Sequence, residues 1–235
     1  FIFIVKFLSK LPMPSICLPK FSVIEMWMYY ISLILIILRK YTTLIKDKKT
    51  RKNLRLFNKL FVVIAVCVIG ISTIYRVYFE EYVIYFNVGQ GNMSVIRKNR
   101  KVIIVDVGST KDKKAATVLN NFLKAKAINK IDLVLVTHMH KDHVNGIYDI
   151  DAKIEKIGYS IPKEECEEYD KITDIISRKE IEEVILNKGD KITFKNLNIY
   201  ILSPSRNEII DSDDILNSNS TVMLIEIIKK SKAVR

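Results

Sequence analysis

The chain contains three histidines, and all of them, His138, His140 and His143, fall within six residues, with Asp142 in between. They follow Ile131 to Thr137, an apolar, β-branched run that reads as a strand, and a strand end is where side chains become available to a site. Residues two apart on extended chain point the same way, so His138 and His140 can offer their imidazoles to one ion. As the chain turns, Asp142 and His143 can face a second ion. Asp142 can instead face a bound water, which makes it the catalytic candidate. Histidine and carboxylate ligands that leave open positions suit hydrolysis, because a bound ion lowers the pKa of its water and so supplies hydroxide near neutral pH. Zinc and manganese both accept this donor set, as one ion or two. A chance cluster of surface histidines is the plain alternative, and the strand-then-loop setting speaks against it.

The elements that position this loop begin beyond Glu80. Strands are predicted at Tyr82 to Val88, Met93 to Arg97, Lys101 to Val107, Ile131 to Thr137, Ile192 to Phe194, Leu197 to Leu202 and Thr221 to Ile228. Helices are predicted at Lys113 to Ala127, with Ala116, Leu119, Leu123 and Ala127 on one face, and at Glu165 to Ser177. Strands first follow one another and then alternate with helices, which indicates a layered α/β sandwich. Asp106, at a strand end, is either a plain strand-end acid or the acceptor that holds a ligating imidazole in position. Gln90 and Gly91 read as a turn between two strands, or, equally, Gly89 and Gly91 let backbone approach a substrate closely. The acidic run Glu164 to Glu168 reads as a solvated helix start.

The first third is of another kind. The chain is 49% hydrophobic and 27% charged, with a net charge of +12. Residues 1 to 79 carry 13 Lys/Arg against Glu25 and Asp47, whereas the remainder carries 25 against 24 acids. The excess lies between two apolar runs, Phe21 to Leu38 and Leu60 to Tyr75, each near the ~17-residue minimum for crossing a bilayer. Two transmembrane helices (21–38 and 60–75) and a basic cytoplasmic loop (39–59) are therefore expected, which would put everything after Phe79 outside the cytoplasm. Phe1 to Pro19, interrupted by Lys6, Lys10, Pro12 and Pro14, reads as an interfacial or re-entrant tail. Cys17, Cys67 and Cys166 lack metal or disulfide spacing.

His138-Met139-His140-Lys141-Asp142-His143 matches the HxHxDH signature of the metallo-β-lactamase superfamily, and neighbouring segments resemble one branch of it, the ComEC family of competence proteins for DNA uptake. Val88-Gly89-Gln90-Gly91-Asn92 is similar to that branch's VGQGD segment, and Ile103 to Gly108 to its LIDxG strand. Lys188-Gly189-Asp190 with Ile199 to Pro204 resembles its "GD, then strand, then P" stretch, and Asn217, Ser220 and Val222 its NNxSxV strand. The resemblance implies a metallo-β-lactamase-like αββα sandwich, incomplete at the C-terminus, preceded by about two membrane helices. It also implies a divalent metal held by His138, His140, Asp142 and His143, and as partners the membrane, DNA and the remainder of a competence channel. Asn92 departs from the family's Asp and Asn145 from the first Gly of its GG. The sequence stops before the family's later bridging aspartate and its HHGS histidine, so a truncated copy is expected, with little nuclease activity until it is extended.

Three functions remain open: an extracytoplasmic domain hydrolysing DNA phosphodiesters, a membrane-anchored hydrolase of a small or lipid-linked substrate, or a non-catalytic domain guiding DNA. A basic strip of Arg97, Lys98, Arg100 and Lys101 with Lys111, Lys113 and Lys114 would favour the DNA readings, solvated surface lysines being the alternative.

Overall fold

The computed structural model describes residues 19–205 and 210–228; the expected N-terminal tail lies almost wholly outside them. The chain forms two compact units, one ending at Phe79 and the other beginning at Glu80.

The first unit is a helical hairpin. Helix α1, Val23–Leu38, starts at a capping box in which Ser22 accepts from the Glu25 amide and Glu25 accepts from the Ser22 amide. A 3₁₀ turn at Arg39–Leu44 leads to helix α2, Lys48–Tyr78, capped by Asp47, which accepts from the amides of Lys49 and Thr50. The expected basic loop is thus largely helix. Asp47 nucleates it, and Lys, Arg and Leu are good helix formers, so the apolar run 60–75 is only the later part of a 31-residue helix. Among the described residues α2 alone is long and apolar enough to cross a membrane. With 16 residues, α1 spans about 24 Å, short of a hydrocarbon core about 30 Å thick. Of the two expected spanning helices, only the second, α2, therefore has the length and hydropathy of a span among the described residues.

The second unit is built on a six-stranded sheet in the order β1-β2-β3-β5-β7-β8. Its strands are β1 (Tyr82–Tyr85), β2 (Met93–Lys98), β3 (Lys101–Val107), β5 (Leu133–Leu135), β7 (Lys156–Tyr159) and β8 (Glu182–Ile185). The first three pair antiparallel, and β3, β5, β7 and β8 run parallel. A second, antiparallel sheet joins β9 (Lys191–Phe194), β10 (Leu197–Ser203) and β11 (Val222–Ile227). Short β4 (Lys130–Ile131) and β6 (Lys153–Ile154) pair separately. The predicted strand 131–137 is split at Asp132, whose carboxylate accepts from the Val102 amide and from Lys101 Nζ and so turns the chain between β4 and β5. Strands β6, β7 and β8 were not predicted. They are short, and the charged residues in KIGY and EEVI hide the apolar alternation.

Side-chain alternation on β3 and β5 shows how the layers are held. Val102, Ile104, Val134 and Val136 point to a core shared with helices α3 (Lys114–Ala125) and α5 (Glu167–Arg178), filled by Leu119, Leu123, Ile172 and Ile175. Ile103, Val105, Leu133 and Leu135 point the other way, onto Leu197, Ile199 and Ile201 of β10. Two buried faces demand a continuous apolar run, which is what these strands have. The layers are thus helix, sheet, sheet. Among the described residues no helix covers the outer face of the second sheet, where Val222 and Leu224 are exposed, so the fourth layer of the expected αββα sandwich is not seen.

Candidate metal centre

The histidine loop leaves the C-terminal end of β5 beside the C-terminal end of β3, the edge at which open α/β sheets place their sites. Met139 is buried while His138 and His140 are partly exposed, as expected of alternation along extended chain. The loop then enters a single helical turn, α4 (Lys141–Val144), which carries Asp142 and His143. The His138 ring centroid lies 4.8 Å from that of His140 and 4.0 Å from that of His143.

Asp106 is aimed at this cluster by its backbone. Opposite β2 the register shifts so that Met93 faces Val107 and Ser94 faces Val105, leaving Asp106 as the extra residue of a bulge, with φ +55°. Aspartate tolerates this left-handed conformation better than most residues, and a bulge re-aims the side chain it carries. The carboxylate is fully buried. It accepts from the Thr137 amide (2.8 Å) and hydroxyl (2.8 Å), from Asn92 Nδ2 (3.0 Å) and from His143 Nδ1 (2.8 Å).

This network fixes tautomers. The Asp106 carboxylate only accepts, so His143 carries its proton on Nδ1 and turns the Nε2 lone pair outward. Thr137 donates to Asp106, so its oxygen, 3.1 Å from His138 Nδ1, accepts from that nitrogen, and His138 Nε2 is likewise freed. Burial, reinforced by the neighbouring imidazoles of His143 and His140, pushes the His138 pKa down to about 4. At His143 burial pulls downward, but the hydrogen bond and charge of Asp106 outweigh it and raise the pKa. Neutral imidazoles with Nε2 facing outward are what a metal takes.

Glycines let the backbones close on one another. A Cβ on Gly108 would lie 2.1 Å from the Asp142 carbonyl carbon, and one on Gly91, at φ +142°, would lie 2.4 Å from the Gly108 oxygen. The close approach at Gly91 is therefore between this segment and the metal loop's own supports. The Asn92 amide donates to the Asp142 carbonyl (3.2 Å) and the Gly108 amide to the Asn92 carbonyl (3.0 Å), stitching the three segments together.

Asn92 and Asn145, the two departures from the resembled segments, have structural roles. Asn92 offers Asp106 a donor where an aspartate would offer a second carboxylate. Asn145 accepts from the Ser109 amide (3.1 Å) and donates to the Ser109 carbonyl (2.6 Å), bracing the loop after β3. Thr137 is read in the sequence only as the first residue of the metal loop and Asn92 only as a departure from the resembled segment; their bonds to Asp106 lie in a long-range network that spacing does not show.

Part of the expected basic strip is elsewhere. Arg97 is buried, Lys98 pairs with Glu81 (2.6 Å) and Lys101 with Asp132 (2.6 Å), and the β2–β3 turn lies at the opposite end of β3 from the histidines. Lys111, Lys113 and Lys114 follow β3 on the site side, where Lys141 pairs with Asp112 (3.2 Å).

His140 Nε2 lies 3.7 Å from Asp214 Oδ1, and His143 Nε2 lies 4.0 Å from Asp142 Oδ2. Among the described residues no three His, Cys, Asp or Glu side chains already converge as ligands of one ion. The donor set nevertheless suits zinc or manganese, with His138, His140, Asp142 and His143 as the residues that would hold it. Such an ion would supply a metal-bound hydroxide.

The sequence pattern of the Metallo-beta-lactamase superfamily matches residues 86–218, more than half of the chain. No curated protein sequence matches. Among solved structures, the metallo-beta-lactamase GOB-18 from Elizabethkingia meningoseptica aligns with TM-score 0.40 and 14% identity, covering 67% of this chain and 60% of that one. The metallo-beta-lactamase fold protein YhfI from Bacillus subtilis aligns with TM-score 0.38 and 14% identity, covering 58% and 50%. A diphosphatase of the PhnP family aligns with TM-score 0.32 and 13% identity, covering 48% and 43%. The chain spans about half the length of the solved structures it matches. The family match covers the histidine loop, β3 with Asp106 and the glycine-stitched segment before it, and the chain belongs to the metallo-β-lactamase superfamily.

Proposed function

We propose that this is part of a membrane DNA-uptake protein of the ComEC kind, whose extracytoplasmic domain is a divalent-metal hydrolase acting on DNA phosphodiesters. One observation carries the chemical half of this reading: Asp106, itself fully buried, orients His143, and through Thr137 also His138, so that both present Nε2 lone pairs at the sheet end. Such oriented imidazoles are built for a metal, and hydrolysis is the chemistry a metal with open positions serves. Asp142, partly exposed beside His143, is the residue assigned to hold a second ion or to orient the attacking water.

The DNA substrate is supported by the VGQG and NNxSxV resemblances and by Lys111, Lys113 and Lys114 on the site side of the domain. Topology is supported by the basic residues of the first turns of α2, between Lys48 and Lys59, ahead of its apolar part. Positive charge there favours a cytoplasmic N-terminal end and sends the domain beginning at Glu80 outward.

The decisive experiment is cleavage of single- and double-stranded DNA, with zinc or manganese, by the chain and by the longest protein its open reading frame encodes. Metal-dependent cleavage abolished by Asp142→Ala supports the proposal. Hydrolysis of small or lipid-linked esters without DNA cleavage points to the membrane-anchored hydrolase. DNA binding without any hydrolysis points to a guiding domain. Reporter fusions after Glu81 test the topology, and a reporter active only in the cytoplasm would overturn it.

A further inference from the structure

Resting on the metal reading above, we infer that Asp214, from a segment more than seventy residues further along the chain, is an additional ligand that closes the metal centre over His140. The loop 138–143 alone reaches an ion from one side, and a closed site needs a donor arriving from elsewhere. Asp214 Oδ1 stands 3.7 Å from His140 Nε2. That separation is beyond the ~3.2 Å limit of a hydrogen bond. It is close to the roughly 3.4 Å that separates two donor atoms on one tetrahedral zinc, given metal–nitrogen and metal–oxygen distances of about 2.0–2.2 Å. The two groups face each other at the spacing of neighbours on a shared ion rather than of bonded partners.

The approach of Asp214 is fixed from both sides. The Thr221 amide donates to the Thr137 carbonyl (2.6 Å), and the Thr221 hydroxyl lies 2.9 Å from that of Ser160, so the start of β11 is tied to the strand end that launches the histidines. Buried Asn219 braces the intervening turn, donating to the carbonyls of Ile210 and Ile215 and accepting from the Ile210 amide.

A capping role alone does not account for Asp214. Its carboxylate accepts from the Asn217 amide (3.0 Å) and from Asn217 Nδ2 (2.5 Å), which caps the one-turn helix α6, Ile215–Ser218. Asparagine or serine caps a helix as well as aspartate does. The backbone cap uses Oδ1 alone, which an asparagine or serine oxygen can replace, and a carboxylate, with about four acceptor sites, retains capacity on the side facing His140.

The test is zinc and cobalt(II) binding to the full chain, by titration calorimetry and by the visible absorption of cobalt. Asp214→Asn keeps a capping oxygen and removes the charge, and Asp214→Ser does the same with a shorter side chain. Both are expected to lower zinc affinity at least tenfold and to alter the cobalt spectrum, while the metal-free protein, which loses only the exposed bond from Asn217 Nδ2, still unfolds cooperatively close to the wild-type temperature. Wild-type affinity and spectrum in both variants would overturn the inference. The parallel His138→Ala plus His140→Ala variant separates the two levels. If it loses metal while the Asp214 variants do not, only the role of Asp214 fails; if it too binds normally, the metal reading itself fails.

Discussion

Each unit of the molecule buries a carboxylate against a basic partner, Glu25 against Arg76 and Asp106 against His143, and these two pairs are used in opposite ways. In the hairpin, Glu25 is consumed on all sides. Arg76 Nη2 donates to both of its oxygens at 2.8 and 3.0 Å, and the Ser72 hydroxyl and Ser22 amide donate to it as well, so the pair ties α1 to α2 and presents nothing outward. In the second unit Asp106 is as deeply buried, but its partner His143 has a second nitrogen, and satisfying Nδ1 turns Nε2 toward the sheet end. A buried acid facing a guanidinium makes a lock, whereas one facing an imidazole makes a positioned ligand.

Breaking the second pair is expected to have the largest effect. Asp106→Ala strands Thr137, Asn92 and the His143 Nδ1 proton, and is expected to cost roughly 3 kcal/mol of stability. Zinc affinity should fall about 10–100-fold as well. Chemical unfolding and calorimetric zinc titration read the two effects.

Glu25→Gln, which leaves the partly buried Arg76 charge uncompensated, is expected to destabilise the hairpin by a smaller amount, about 3 kcal/mol at most, without changing zinc affinity. Adding Arg76→Met should restore much of the loss. A change in zinc binding in either variant would erase the contrast between lock and ligand.

Gly108→Ala tests whether the backbone stitching matters to the site. Its new methyl must displace the Asp142–His143 peptide, since the Cβ would lie 2.1 Å from the Asp142 carbonyl carbon. Misplacement on the ~1 Å scale can cost on the order of a hundredfold in rate, and zinc affinity should fall by about tenfold.

The smallest effect is on proton occupancy in the metal-free protein. Imidazole signals followed by NMR should show His138 neutral down to about pH 4 and His143 protonated above its ordinary range. The signs oppose each other. The depressed His138 destabilises the fold as pH falls from about 6.5 toward 4, because only the unfolded chain then takes up the proton. The raised His143 stabilises it fully below about 6.5 and loses that contribution as pH rises through its folded pKa. Identical titration of the two rings would contradict the tautomers assigned from Asp106 and Thr137.

What the sequence revealed tracks how local each signal is. The histidine loop was legible because strand alternation and turn chemistry act within six residues, and β3, β10 and both large helices of the second unit were read within a few residues of their bounds. The start of α2 was missed because charged residues were taken for loop, although Asp47 caps them into a helix. Strands β6, β7 and β8 were missed because their burial comes from neighbours distant in sequence. Asp106 was legible as a candidate, but its φ of +55° and its bond to Asn92 arise from a bulge that no local pattern announces. Asp214 was invisible for the same reason, since only the tie between Thr221 and Thr137 brings it to His140.

If residues 138–143 hold a divalent ion, the metal content of the chain must depend on them. Elemental analysis of the full chain after zinc loading and dialysis should find at least one zinc per chain in the wild type and essentially none after His138→Ala plus His140→Ala. Equal zinc content in both would show that these histidines do not hold the ion.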